Sequence, residues 1–212
     1  MHNPWRKVGI LALVAVGVSW LFLKTVRDTM SEPYVTEGAE LSGWSLVVTE
    51  PAPSAIAVLA LKPPPRLADG LFNQVFSRTM ESLTAPGMAS MPIVLQSEYL
   101  ASLRTVFSLE EILEITRRSG LENSTLTPVC LGLKREPYGG RVRQFFFALF
   151  ESPVFRQFRE ELAALYTERG GSAPFDPAAL DPVLPIASSD SDFRRWWPLS
   201  INLDLDCQAP LT

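Results

Sequence analysis

Histidine is nearly absent from this chain: of 212 residues, the one histidine is His2. A Ser-His-Asp triad, a Cys-His pair and a histidine-rich zinc site are therefore excluded from everything beyond the N-terminal tail. An excess of basic charge is missing as well. Lys and Arg number 19 against 23 Asp and Glu, and 20% of the residues are charged while 47% are apolar. That balance excludes a disordered charged polymer and fits one globular unit with an appendage. Residues 1–30 hold Arg6, Lys7, Lys24 and Arg27 against Asp28, a net of +3, which leaves −7 for the other 182 residues. A body of that sign lacks the basic footprint of a general nucleic-acid binder, so no nucleic-acid partner is expected. No cofactor or metal is expected either.

Long uncharged runs are rare, and there is one that matters. Val8 to Leu23 carries no charge over 16 residues, about 24 Å as a helix. Trp5 and Trp20 stand near its ends, and Arg6, Lys7 and Lys24 can snorkel to lengthen the span. The run ends in Trp-Leu-Phe-Leu-Lys, without the small residues of a signal-peptide cleavage site. The expectation is a cytoplasmic tail at 1–7, a single transmembrane helix at 8–23 in the lipid bilayer, a tether at 24–43 and a globular domain at 44–212. The positive-inside count is tied. The short N-terminus is placed in the cytoplasm and the body on the extracytoplasmic side.

Beyond the tether the pattern predicts an α+β domain. Strands are read at Trp44–Val48, Ala55–Lys62, Pro92–Leu95, Leu126–Leu133, Val142–Phe150, Val183–Ala187 and Leu199–Leu205. Leu67, Leu71, Val75 and Met80 give helix spacing over Leu67–Leu83. Ser108 with Glu111 has the capping-box form before Leu109–Ser119, and Gly120 supplies the stop. Ser152-Pro153 opens a helix whose Phe155, Phe158, Leu162 and Leu165 share a buried face, and Gly170-Gly171 ends it. A weak repeat is visible. AIAVLALK, prolines and a long helix recur as QFFFALFE, Ser-Pro and a long helix, about 90 residues apart. The repeat predicts a two-lobed, pseudo-symmetric sheet with helices packed outside, strands from both lobes forming one core.

This order of elements resembles the 2H phosphoesterase family, the LigT-like and cyclic-phosphodiesterase-like proteins, over about residues 55–190. The resemblance is carried by AIAVLALKPPPRLADGLF, by Pro92-Ile93-Val94-Leu95, by FFFALFESPVFRQFREEL and by FDPAALDPVLPIASSD. It implies two His-x-Thr strands facing each other across a groove, where one histidine takes a proton and the other gives one. Here the corresponding positions read Pro92-Ile93-Val94 and Val183-Leu184-Pro185. Neither proline nor an apolar side chain transfers a proton, so the resemblance implies the fold without the chemistry. Pro92, Val94, Val183 and Pro185 are expected to line an apolar, degenerate groove.

Other constellations are weaker. An extracytoplasmic body permits a Cys130–Cys207 pair, but the apolar run around Cys130 favours two free thiols. Asn202, Asp204 and Asp206 alternate with Leu203 and Leu205, which reads as a half-buried edge strand rather than a cation site. Ser188-Ser189-Asp190-Ser191-Asp192 reads as a loop. Lys134, Arg135, Arg141 and Arg143 flank a hairpin tip at Pro137-Tyr138-Gly139-Gly140, and Arg194-Arg195-Trp196-Trp197 combines cations with aromatics. Arg143, Arg195 and Trp196 are taken as the ligand or partner contacts. Three functions follow. The first is a membrane-anchored, non-catalytic domain that binds a ligand or a membrane or envelope protein. The second is a structural subunit of an envelope complex. The third is an enzyme with relocated carboxylates, Glu98, Asp181 or Asp190, and Arg143 holding an anion.

Overall fold

A computed structural model describes the backbone of residues 4–36, 38–79 and 81–212, and their side chains except those of 4–13, 26, 27, 30, 39 and 40. Met80 and residues 1–3 therefore lie outside the described residues, as do the side chains of Trp5, Arg6, Lys7 and Arg27. Two compact units form, residues 1–32 and 33–212.

The first unit is helix α1, Pro4–Ser31, longer at both ends than the span at 8–23. Its side chains from Val14 to Leu23 are exposed on every side of the helix, including Val16, Val18, Trp20 and Phe22. Among the described residues no helix is long and apolar enough to cross a membrane. The expected tether is corrected in two ways. Residues 24–31 continue the helix, where Thr25 and Thr29 hydroxyls donate back to the carbonyls four residues earlier. Tyr34, 1% exposed, belongs to the body. Its backbone pairs with the C-terminal residues, donating to the Pro210 carbonyl at 2.9 Å and accepting from the Thr212 N–H at 2.9 Å.

The second unit is α+β, with two antiparallel sheets. The first is β1 (Ser45–Val48), β2 (Ala57–Lys62) and β3 (Met91–Leu95), in that order. The second has the order β6-β5-β4-β7, from β4 (Thr127–Tyr138), β5 (Arg141–Glu151), β6 (Val183–Ser188) and β7 (Cys207–Pro210). The helices are α2 (Pro65–Thr79), α3 (Gln96–Ala101), α4 (Leu109–Ser119), α5 (Pro153–Glu168) and the single turn α6 (Leu203–Asp206). The expected single sheet does not form, because β2 and β5 lie in different sheets. The strands that edge the two sheets toward each other, β3 and β6, carry Pro92 and Pro185 and each lack a donor there. Bulges in both adjoining ladders, near Leu59 and Phe147, twist those edges further.

Local signals explain the helices. Ser108 Oγ accepts from the Glu111 N–H, and Glu111 accepts from the Ser108 N–H, closing the capping box. Gly120 ends α4 at φ 70°. Ser152 Oγ accepts from the Phe155 N–H to start α5. Leu67, Leu71 and Val75 of α2 and Phe155, Phe158 and Leu162 of α5 bury into one main core. Strand alternation divides β5. Phe146, Ala148 and Phe150 face that core, while Phe145, Phe147 and Leu149 face a second core closed by Phe193, Trp196 and Leu199.

The C-terminal segment departs most from expectation. Residues 199–205 are not a strand. Asn202 Oδ1 caps the Asp204 N–H and Asp206 Oδ2 accepts from the Asn202 N–H, which closes a helical turn instead. Leu203 and Leu205, expected inside, are 56% and 73% exposed. Asp206 pairs with Lys134 at 2.6 Å. The strand comes afterwards, as β7, and its register with β4 sets Cys207 opposite Gly132 and within reach of Cys130. Cys130 and Cys207 form a disulfide, Cα–Cα 5.7 Å, and this corrects the expected free thiols.

Gly132 shows how tightly the second core is filled. Its cross-strand partner is Phe147, and a Cβ on Gly132 would lie less than 3.0 Å from three carbons of the Phe147 ring. Phe147 is fully buried and has nowhere to go. Gly132→Ala is expected to lower stability by about 1–3 kcal/mol. Gly70→Ala, on α2 with open space around it, should raise stability by about 0.5–1 kcal/mol. Urea midpoints of the two variants measure both signs.

Candidate functional site

The β4–β5 hairpin outruns its neighbours. β6 pairs with β5 over Phe145–Leu149 and β7 meets β4 over Cys130–Gly132, so residues 135–143 project as a two-stranded ribbon. Gly139 and Gly140 turn it at φ 55° and 77°, the left-handed pair that a two-residue hairpin loop requires. Pleating puts Glu136 and Tyr138 of β4 on the same face as Arg141, Arg143 and Phe145 of β5.

That face meets the segment after β6. The Arg143 guanidinium lies over the Tyr138 ring, 3.2 Å from its centroid, and Arg195 lies 5.5 Å from the same centroid. Arg143 Nη1 pairs with Asp190 at 3.3 Å. Asp192 holds Arg194 at 2.8 Å and Arg195 at 3.2 Å. Arg194 also donates to the Pro53 carbonyl, which ties this segment to the loop before β2. Hydrogen bonding from Arg195, then the charges of Arg195 and Arg143, hold the Tyr138 hydroxyl below its usual range. Hydrogen bonding from Arg194 does the same most strongly for the Asp192 carboxyl. Two separate sequence patches, the hairpin cations and the Arg-Arg-Trp-Trp run, thus converge on one tyrosine.

Trp196 is a different case. It is 4% exposed and stacks on Phe145 at 5.2 Å and 16°, so it fills the second core rather than presenting a surface. Its indole N–H, that of Trp197 and Nε of Arg143 are buried without an acceptor among the described residues.

The four degenerate positions are all buried. Pro92 and Val94 sit on β3, whose five residues are covered on both faces, and Val183 and Pro185 sit on β6, covered likewise. Val94 packs in the main core and Val183 in the second. The cavities of about 460, 240 and 510 Å³ are lined by other residues.

The relocated carboxylates are not brought together. Glu98 accepts from the Leu95 N–H and binds Arg159 with both oxygens. Asp190 pairs with Arg143. Asp181 and Asp190 lie beyond opposite ends of β6, with its six residues, about 20 Å of strand, between them. The cavity that Asp181 lines contains neither of the others. Burial raises the Asp181 carboxyl above its usual range, against the opposing charge of Arg156. Ser188 closes β6, so the expected loop begins at Ser189 and runs to Asp192, with Ser188 Oγ accepting from the Asp190 N–H and Asp190 Oδ1 from the Asp192 N–H.

Tyr138 and Arg159 are the residues that sequence reasoning missed. The signal for Arg159 was present, since it falls four residues after Phe155 and three before Leu162, on the apolar face of α5. No family model, curated protein or solved structure matches this chain.

Proposed function

We propose that this chain is a membrane-anchored, non-catalytic binding domain with a degenerate 2H-phosphoesterase-like fold, contacting a membrane or envelope partner through the Tyr138–Arg143–Arg195 cluster. One observation carries the loss of chemistry. The four positions where histidine and threonine would stand hold buried proline and valine, and Glu98, Asp181 and Asp190 are not brought together. A surface that sets two guanidiniums on one tyrosine ring supports recognition at the hairpin tip.

Three features support the setting. The strand-helix units β2–α2 and β5–α5 follow the family's order, with β3 and β6 as the edges of adjoining sheets. Helix α1 is apolar on every described side from Val14 to Leu23, a surface that suits lipid and not water. A disulfide favours an oxidising compartment for the body.

Three experiments test the reading. The chain without residues 1–32 should be recovered without detergent, and the full chain should require it. Incubation with cyclic nucleotides and 2′,3′-cyclic phosphate ends should give no turnover. Turnover that disappears in Asp190→Asn or Glu98→Gln would establish an enzyme instead. A photo-crosslinker at Arg141, exposed on the same face as Tyr138 and Arg143, should then capture one membrane partner, and capture should fall when Arg143 and Arg195 are both replaced by Gln.

A further inference from the structure

The β4–β5 ribbon is a basic end on an acidic body. Residues 1–32 hold four of the Lys and Arg and two of the Asp and Glu, which leaves 15 against 21 in residues 33–212, a net of −6. Lys134, Arg135, Arg141 and Arg143 against Glu136 give residues 134–143 a net of +3, so the rest of the body holds −9. Arg143 and Arg195 are matched by Asp190 and Asp192, and Lys134 by Asp206. Arg135 and Arg141 are exposed, and neither side chain has an ion pair or a hydrogen bond among the described residues. They are free to meet an anion from outside the chain.

Apolar groups stand at the same end. Tyr138 and Val142 are 56% and 57% exposed, on opposite faces of the ribbon, and Pro137 is exposed beside Val142. Counted back from the turn, the rungs are Tyr138–Arg141, Pro137–Val142, Glu136–Arg143 and Arg135–Gln144. At about 3.4 Å per residue, the fourth rung lies about 10 Å behind the first. The headgroup layer of a bilayer is about 5–8 Å deep on each side. A ring and a valine at the end, with arginines beside and behind them, follow the order from acyl boundary to phosphates.

We infer that the tip of this ribbon docks on an anionic lipid surface, with Tyr138 and Val142 in the headgroup layer and Arg135 and Arg141 on phosphates. This docking rests on the membrane anchorage proposed above. With α1 in a bilayer, the ribbon meets lipid at a high effective concentration, and a few contacts suffice. A protein partner suits the tip less. A specific interface takes about 800 Å² from each side around a buried anchor, and the end of a two-stranded ribbon offers one ring and one valine.

The test uses the full chain in nanodiscs, with an environment-sensitive fluorophore on Val142→Cys. The two native cysteines are bonded to each other, so the introduced thiol is labelled alone. The discs are phosphatidylcholine alone or in equal parts with phosphatidylglycerol, and lipids with a nitroxide near the headgroup quench a docked label. Quenching is expected in the anionic discs, should be weak in the neutral ones, and should be lost at 1 M salt, where the Debye length is about 3 Å. Arg135→Gln with Arg141→Gln should lower the ratio of docked to undocked tip about 30-fold, at about 5-fold for each arginine. A label at Asn123, ahead of β4 and so at the other end of that strand from the tip, should stay unquenched. No quenching in discs that hold the chain, equal quenching in both discs, no change in the double variant, or equal quenching at Asn123 would overturn the docking and leave the anchorage standing. Release of the tip by free glycerol phosphate would assign a soluble phosphate site instead. Capture of a protein and not of lipid by the crosslinker at Arg141 would give the tip to a protein partner. A chain that does not enter the discs would overturn the anchorage, and the docking with it.

Discussion

Arg159→Ala is expected to cost about 3–5 kcal/mol of folding stability, read as a fall in the urea midpoint. Arg159 is among the largest fully buried side chains of the described residues, and every guanidinium nitrogen is used. Nε donates to the Pro177 carbonyl at 2.8 Å and Nη1 to the Ile93 carbonyl at 3.0 Å. Nη2 donates to the Asp176 carbonyl at 2.9 Å and to Glu98 at 2.6 Å. One side chain thereby joins α5, β3, the start of α3 and the loop before β6. Removing it strands a Glu98 carboxylate that is 14% exposed and three carbonyls that have lost this donor. A domain whose total stability is about 5–15 kcal/mol does not lose that much without consequence. Arg159→Lys keeps the charge but not the fork, so it should fall between. The paired change Arg159→Met with Glu98→Gln should lose less than Arg159→Ala alone, because no carboxylate is left uncompensated. A loss below about 1 kcal/mol in Arg159→Ala would show that water reaches the site and that the ion pair does not organise the junction.

Removing the disulfide should have an effect of similar size. Cys130 and Cys207 are 77 residues apart, and closing a loop of that length limits the unfolded chain by roughly 4.5 kcal/mol in the chain-entropy description. The Cys130→Ser, Cys207→Ser double variant should melt well below the parent, and reductant should lower the parent's midpoint but not the variant's. Equal midpoints with and without reductant would mean that the bridge contributes nothing. The loss should concentrate in the second core, where Phe193, Trp196 and Leu199 lie on the segment that Cys207 closes.

Much of the architecture was legible where one local rule sufficed. The capping box at Ser108, the Ser152-Pro153 start and the diglycine turn at 139–140 each require nothing distant. The C-terminal segment was not legible, since Asn-Leu-Asp-Leu-Asp satisfies a strand's alternation and a capped turn equally well. The bond that the Asn202 N–H donates to Asp206, the one that Asn202 Oδ1 accepts from the Asp204 N–H, and the pull of Lys134 on Asp206 decide between them. With β7 displaced, the cysteine pairing could not be read either. The candidate site was legible as two patches but not as one place. Nothing in a one-dimensional pattern says that Arg195 reaches the ring of Tyr138, 57 residues earlier. Arg159 was hidden for another reason. A charge on an apolar face is usually read as an interruption, and its partners lie on three other elements.

The backbone pairing of Tyr34 with Pro210 and Thr212 also defines a mechanical path. Tension applied at residue 33 enters the body through these hydrogen bonds, in a parallel bridge that loads them in shear, and through those of Arg78 to the Pro33 carbonyl and of Gln74 with Val35. From there it passes along β7 to Cys207 and crosses to Cys130 through a covalent bond, arriving in β4, an interior strand of the four-stranded sheet. A pulling experiment on the oxidised chain should therefore meet its weakest point at Tyr34. Once that bridge parts, the remaining body should hold to a higher force, and reduction of the disulfide should abolish the difference between the two steps.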